Sequence, residues 1–137
     1  QPNKGIVMQG KLSTALFLIR ISVALVLIMW TVDKFVNPSH AINVFDHFYF
    51  ISGISTQIMT GIAVAELILI ALFLIGRFKD ITYLIVLIIH GVSTVTPISN
   101  YLNAFESPNL LFFAAWPMLA ACYALYSLRH YDNKFNL

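Results

Sequence analysis

Four long apolar stretches dominate the chain and limit the folds that are open to it. They cover residues 12–32, 54–75, 81–98 and 110–128. A helix needs about 20 apolar residues to cross the roughly 30 Å hydrocarbon layer of a bilayer. Only 10% of the residues are charged, whereas a soluble domain carries about 25%. The sequence therefore predicts an all-α, polytopic membrane four-helix bundle, with a single domain over residues 1–137.

The basic residues lie mostly on one side of the predicted bundle. In the connections on the opposite side, Lys34 is the only lysine or arginine. Because cytoplasmic loops carry an excess of Lys and Arg, this asymmetry predicts that both termini are cytoplasmic. The basic residues on the predicted cytoplasmic side are Lys4, Lys11, Arg77, Lys79, Arg129 and Lys134.

The first outer connection, residues 33–53, is too apolar and aromatic for an ordinary loop. Asn37-Pro38-Ser39 is typical of a turn, and the Ser39 hydroxyl is a candidate cap for a short helix that begins near His40. Such a helix would lie in the outer interface or fold back over the mouth of the bundle. We therefore expect one additional short interfacial helix in this connection.

The same connection contains the candidate residues for an outer site. Histidine and carboxylate side chains can bind zinc, copper or iron. The spacing does not bring such ligands onto one helix face, since adjacent residues point about 100° apart. We therefore interpret these residues as solvated interfacial groups and predict no metal site. The outer candidates are Asp33, Lys34, His40, Asp46 and His47.

Three ionisable residues lie in the middle of apolar stretches, and they are the main candidates for function. Measured from the predicted cytoplasmic boundaries, Arg20 lies about 13 Å deep, and Glu66 and His90 each about 15 Å. A charge at bilayer depth costs about 2.5 kcal/mol or more, so such residues usually face a bundle interior. We therefore predict one buried polar cluster near the midplane that contains all three.

The cluster has two interpretations. An ion pair between Arg20 and Glu66 is expected because a guanidinium fork matches a carboxylate. The pair could either take part in function or only lock the first helix against the second. His90 is either a hydrogen-bonded core residue or, if it reaches Glu66, a ligand or proton carrier.

Two prolines predict irregular helices. Pro97 removes a backbone donor and should kink or stop the third span, and Pro117 lies within the fourth span and should bend it.

The first two spans resemble the DoxX-like superfamily of small four-helix membrane proteins, which includes YkgB-like proteins. The resemblance is carried by LFLIR with Arg20, by the ending of the first span at Trp30, Lys34 and Phe35, and by AVAELILI with Glu66. The resemblance implies a quinone-linked or accessory role beside a membrane oxidoreductase. We expect an integral protein of the bacterial inner membrane.

The resulting hypothesis is an accessory subunit of a membrane oxidoreductase complex, with a quinone or proton site at the polar cluster as one option. A purely structural subunit and a small transporter or proton conduit are the alternatives. The single cysteine, Cys122, excludes paired-thiol chemistry within the chain, and the net charge of +2 gives no reason to expect a nucleic-acid partner. We expect no intrinsic cofactor, with quinone as the one candidate, and we expect lipid and other membrane subunits as partners.

Overall fold

The computed structural model describes residues 3–136, so residues 1, 2 and 137 of the predicted domain lie outside the described residues. This part of the chain is helical and contains no strand. The α-helices are α1 (Lys4–Val36), α2 (Pro38–Tyr49), α3 (Thr56–Leu74), α4 (Lys79–Val95), α5 (Ile98–Leu102) and α6 (Ala115–Ser127). Two 3₁₀ helices, Asn109–Ala114 and Arg129–Tyr131, flank α6.

Three helical segments are long and apolar enough to cross a membrane. They are α1, α3 and the continuous segment Asn109–Ser127, in which a 3₁₀ helix leads into α6. The predicted span over residues 81–98 corresponds to α4, which has 17 residues and is therefore about 26 Å long. The all-helical class predicted from the sequence is confirmed.

The long helices pack around one apolar core. α1 packs against α3, α4 packs against α6, and α1 also contacts α6. Small and branched side chains allow the helices to approach closely. The buried residues of this core are Leu16, Val23, Ala24, Leu27, Ile70, Phe73, Tyr83, Val86, Cys122 and Leu125.

α1 is longer than the predicted first span. It has 33 residues, about 50 Å, and begins eight residues before the predicted boundary at residue 12. Asn3 caps it by accepting a hydrogen bond from the Gly5 amide at 2.7 Å. Residues 3–11 are all exposed. The first turns of α1 therefore extend beyond the packed core.

The irregular backbone at the predicted turns has local causes. α4 ends at Val95, just before Pro97, as the sequence predicts. At Pro117 the structure has no single α-helix through the predicted span, because a 3₁₀ helix changes to α6 two residues before the proline.

The connection over residues 33–53 contains a helix, α2, but the start of this helix differs from the prediction. Pro38 occupies its first turn and no side chain caps it, so Ser39 lies inside the helix and the predicted Ser39 cap is wrong. A proline is suited to the first helical position because its φ is already helical and it needs no hydrogen-bond acceptor. α2 packs on α1 and α3, and the Tyr49 hydroxyl lies 2.7 Å from Ser93 Oγ of α4. α2 therefore lies across one end of the packed helices, which we call the α2 end.

Candidate functional site

Arg20 forms a fully buried ion pair with Asp132, a residue beyond the last long helix. Arg20 Nη1 donates to Asp132 Oδ1 at 2.7 Å, and both side chains are 0% exposed. The predicted ion pair between Arg20 and Glu66 is therefore wrong. Burying two charges is costly unless the other polar atoms of the guanidinium and the carboxylate also have hydrogen-bond partners. The stability of the arrangement therefore depends on the neighbours of this pair.

The neighbours come from α4 and from the C-terminal segment, residues 129–136. The Tyr83 hydroxyl donates to Asp132 Oδ2 at 2.5 Å. Lys79 Nζ donates to the backbone carbonyl of Asp132. Arg20 Nη2 donates to the carbonyls of Lys134 at 2.5 Å and Phe135 at 3.2 Å. We call Arg20, Lys79, Tyr83 and Asp132 the tail cluster.

The tail cluster lies at the end of the packed helices opposite α2. Gly76, in the turn between α3 and α4, has a φ of +73°, a left-handed conformation that suits glycine. A Cβ there would lie 2.6 Å from Asn136 Cβ and 3.6 Å from Arg20 Nη1. Arg20 is thus level with the α3–α4 turn. The prediction that Arg20 and Glu66 lie at the same level is therefore wrong. The level of Arg20 was counted from Lys11, and α1 extends well beyond the other helices.

Glu66 is bonded elsewhere on α1. Its Oε2 accepts hydrogen bonds from Lys34 Nζ at 3.0 Å and Thr31 Oγ1 at 3.0 Å. The side chains of Lys34 and Glu66 are 12% and 24% exposed, so this pair is less buried than Arg20 and Asp132. The contact joins α1 to α3, as expected for a pair that locks two helices.

His90 is buried between α4 and the segment that leads into α6. Its Nε2 lies 2.9 Å from the Ala115 carbonyl oxygen, and its ring stacks on Trp30 with centroids 5.9 Å apart. Within residues 3–136, His90 Nδ1 is buried and has no hydrogen-bond partner. His90 therefore contacts neither the tail cluster nor Glu66 by a hydrogen bond, and the predicted trio is divided among three places.

The outer candidates form one close pair and do not converge on a site. His40 Nδ1 lies 2.6 Å from Asp33 Oδ2, while Lys34 binds Glu66. Asp46 and His47 are exposed on α2. Across residues 3–136, no three His, Cys, Asp or Glu side chains are grouped so as to hold a metal ion.

A network of hydrogen bonds lies at the α2 end, around the segment that follows Pro97. The Tyr101 hydroxyl donates to the Thr94 carbonyl at 2.5 Å, and burial raises the pKa of Tyr101 above its ordinary value. Asn109 accepts from Asn100 at 2.8 Å and donates to the Asn103 carbonyl at 2.8 Å. Two of these bonds supply partners for backbone carbonyls, at Thr94 and Asn103, in a part of the chain where the helices are interrupted.

Sequence reasoning missed Asp132 and Tyr83. One signal was present, because Asp80 and Asp132 are the only acidic residues in the segments predicted on the cytoplasmic side. Asp80 is paired with Arg129 at 2.6 Å on the surface. The buried role of Asp132 depends on the C-terminal segment folding back onto α1, which hydropathy does not reveal.

No family model, curated protein or solved structure matches the chain.

Proposed function

We propose that the chain is an accessory integral membrane subunit that associates with a membrane oxidoreductase complex and contributes no redox chemistry of its own. In this proposal α1, α3, α4 and the segment Asn109–Ser127 cross the bilayer as a four-helix bundle. Both termini are cytoplasmic, α2 lies at the outer interface, and the membrane is the bacterial inner membrane.

The observation that carries this proposal is that the three ionisable residues predicted in the middle of apolar stretches are each bonded within the chain. Arg20 binds Asp132, Glu66 binds Lys34, and His90 bonds a backbone carbonyl. These contacts fix helices against one another or against the C-terminal segment. A proton conduit would need its polar groups in a continuous path, and the groups predicted to form that path lie in three separate places.

The exposed face of α6 is the best candidate for the contact with a partner subunit. The segment Asn109–Ser127 is the least buried of the three long apolar helices. Trp116 and Tyr123 are 45% and 62% exposed on it, and the small residue Ala120 lies between them. Positions three or four apart share a helix face. Small residues permit close helix contact in membranes, and aromatic residues are enriched at protein interfaces.

The oxidoreductase character of the partner rests on the resemblance of the first two spans to DoxX-like proteins. A quinone site is the alternative, and His90 is the residue that favours it. Its unpaired Nδ1 is a potential hydrogen-bond partner for a quinone carbonyl, and Trp30, which stacks on it, is 46% exposed.

Co-purification in mild detergent tests the proposal. The native complex is extracted, its subunits are identified by mass spectrometry, and bound quinone is quantified. We expect Ala120→Trp to remove the partner, while Ala71→Trp, at an exposed position on α3, leaves it bound. His90→Leu should leave quinone-linked turnover unchanged. Loss of turnover with normal assembly in His90→Leu would overturn the non-catalytic role in favour of the quinone site.

Cysteine labelling tests the topology separately. In a Cys122→Ala background, membrane-impermeant reagents should label Asn3→Cys and Ser39→Cys from opposite sides of the membrane, since both native residues are exposed. Labelling of both from the same side would exclude the proposed arrangement.

A further inference from the structure

We propose that Arg20, Lys79 and Tyr83 form a binding site for a phosphate group, and that the C-terminal segment occupies this site through Asp132 until a phosphate-bearing ligand displaces it. This goes beyond the proposed subunit function, because it needs no partner protein. Both a lipid headgroup and free phosphate carry the required chemistry.

The donors converge on one residue, Asp132, from two different helices. Arg20 of α1 and Tyr83 of α4 donate to the two carboxylate oxygens of Asp132, at 2.7 and 2.5 Å. Lys79 donates to the backbone carbonyl of the same residue. A guanidinium fork with an ammonium and a hydroxyl is a donor set that also suits phosphate oxygens.

The site has more positive charge than its occupant neutralises. Within residues 3–136, Arg20 and Lys79 each contribute a positive charge. The Asp132 carboxylate binds Arg20, whereas Lys79 binds only the backbone carbonyl of Asp132. Inorganic phosphate carries up to two negative charges near neutral pH, so its exchange for the Asp132 carboxylate would improve the local charge balance. The phosphodiester of a lipid headgroup carries one negative charge and would replace the carboxylate without changing that balance.

The occupant can leave without dismantling the core. The core residues that pack around α1, α3, α4 and α6 precede residue 129. Beyond Asp132, the C-terminal segment is held by Arg20 contacts to its carbonyls, by Lys134 on Thr14 at 3.1 Å, and by the Phe17–Phe135 ring contact at 4.8 Å. Asn133 and Phe135 are exposed. Because the segment is tethered, a free ligand competes with an effective concentration in the millimolar range.

The position of the site suits a phosphate at a membrane surface. The tail cluster lies at the end of the helices where Arg77, Lys79 and Arg129 gather. In the proposed topology this end meets the cytoplasmic leaflet, where clustered basic residues attract anionic lipids.

A spin label on the C-terminal segment tests the proposal with the full chain in nanodiscs. The label is attached at Asn133→Cys in the Cys122→Ala background, and its mobility reports release of the segment. One arm adds inorganic phosphate to neutral phosphatidylcholine discs, with sodium chloride at matched ionic strength as the control. The other arm uses phosphatidylglycerol discs without soluble phosphate.

We expect release in at least one arm. Release by phosphate beyond that caused by chloride identifies free phosphate, and release in phosphatidylglycerol discs identifies a lipid headgroup. Asp132→Asn should lower the ligand concentration needed by about tenfold or more, as expected when the occupant loses a charged hydrogen-bond acceptor. Asp46→Asn, the same change at an exposed position on α2, should behave like the parent.

The proposal is overturned if the label stays immobile in both arms, or if chloride releases the segment as well as phosphate does. Both outcomes are measured on the chain with native Asp132. The test therefore remains decisive even if the Asp132→Asn variant fails to fold.

Discussion

Removal of Asp132 should strongly destabilise the protein, because it leaves Arg20 buried without a counter-ion. The pair has 0% exposure on both sides. With charge centres about 4 Å apart and an effective dielectric constant near 20, the attraction is about 4 kcal/mol. Loss of one partner from a buried pair typically costs about 3 to 5 kcal/mol. We expect Asp132→Ala and Arg20→Ala each to lower the free energy of unfolding by an amount in this range.

A double-mutant cycle measures the contact itself. Combining the two substitutions should cost less than the sum of the single effects, by about 1 to 3 kcal/mol, since the second change removes a charge that is already unpaired. Unfolding by denaturant in mixed micelles, followed by circular dichroism, gives the free energies. The matched control is the cycle of Arg20→Ala with Glu66→Ala. These two residues bind different partners, so their effects should add to within about 0.5 kcal/mol.

Additive effects for Arg20 and Asp132 would refute the buried pair. If Arg20 were instead coupled to Glu66, the ion pair predicted from the sequence would be the correct one. The two cycles therefore distinguish the observed arrangement from its nearest alternative.

Three smaller effects follow from the other polar residues and from the tight turn. Glu66→Gln should lower the free energy of unfolding by about 1.5 to 3 kcal/mol, because Lys34 loses a charged hydrogen bond; an effect as large as that of Asp132→Ala would contradict the partial exposure of this pair. His90→Leu should cost about 1 kcal/mol through the lost bond to the Ala115 carbonyl, and a stabilised variant would show that this bond contributes nothing. Gly76→Ala should cost about 1 to 3 kcal/mol because alanine is strained at a φ of +73°, and an unchanged stability would show that the turn relaxes. All three are measured in the same unfolding assay.

Hydropathy predicted the helices well because it depends on local composition. The apolar stretches are each helical over most of their length, and the aromatic outer connection contains α2. The helix ends were less predictable. α1 continues to Lys4 because residues 4–11 have no helix breaker other than glycine, and a polar or charged residue does not end a helix.

The partners of the charged residues could not be predicted in the same way. A depth estimate multiplies any boundary error by 1.5 Å per residue. Lys11 was taken as level with the ends of the other helices, whereas it is Arg20 that lies beside the α3–α4 turn, and this error placed Arg20 at the level of Glu66. The partner of Arg20 lies 112 positions away in the sequence. Such a contact is decided by the tertiary path of the C-terminal segment, for which local periodicity gives no signal.

The charged contacts also explain how α1 keeps its position along the bundle. Arg20 and Thr31 are both buried on α1, and a separation of eleven residues places them on nearly the same face, about 16 Å apart. Between them, Ala24 and Leu27 form an apolar layer. This layer by itself would allow α1 to slide along its axis against the neighbouring helices. A slip by one turn, about 5.4 Å, would separate Arg20 from Asp132 and Thr31 from Glu66 together. The polar contacts at the two ends of this layer therefore specify the register that the apolar layer leaves open.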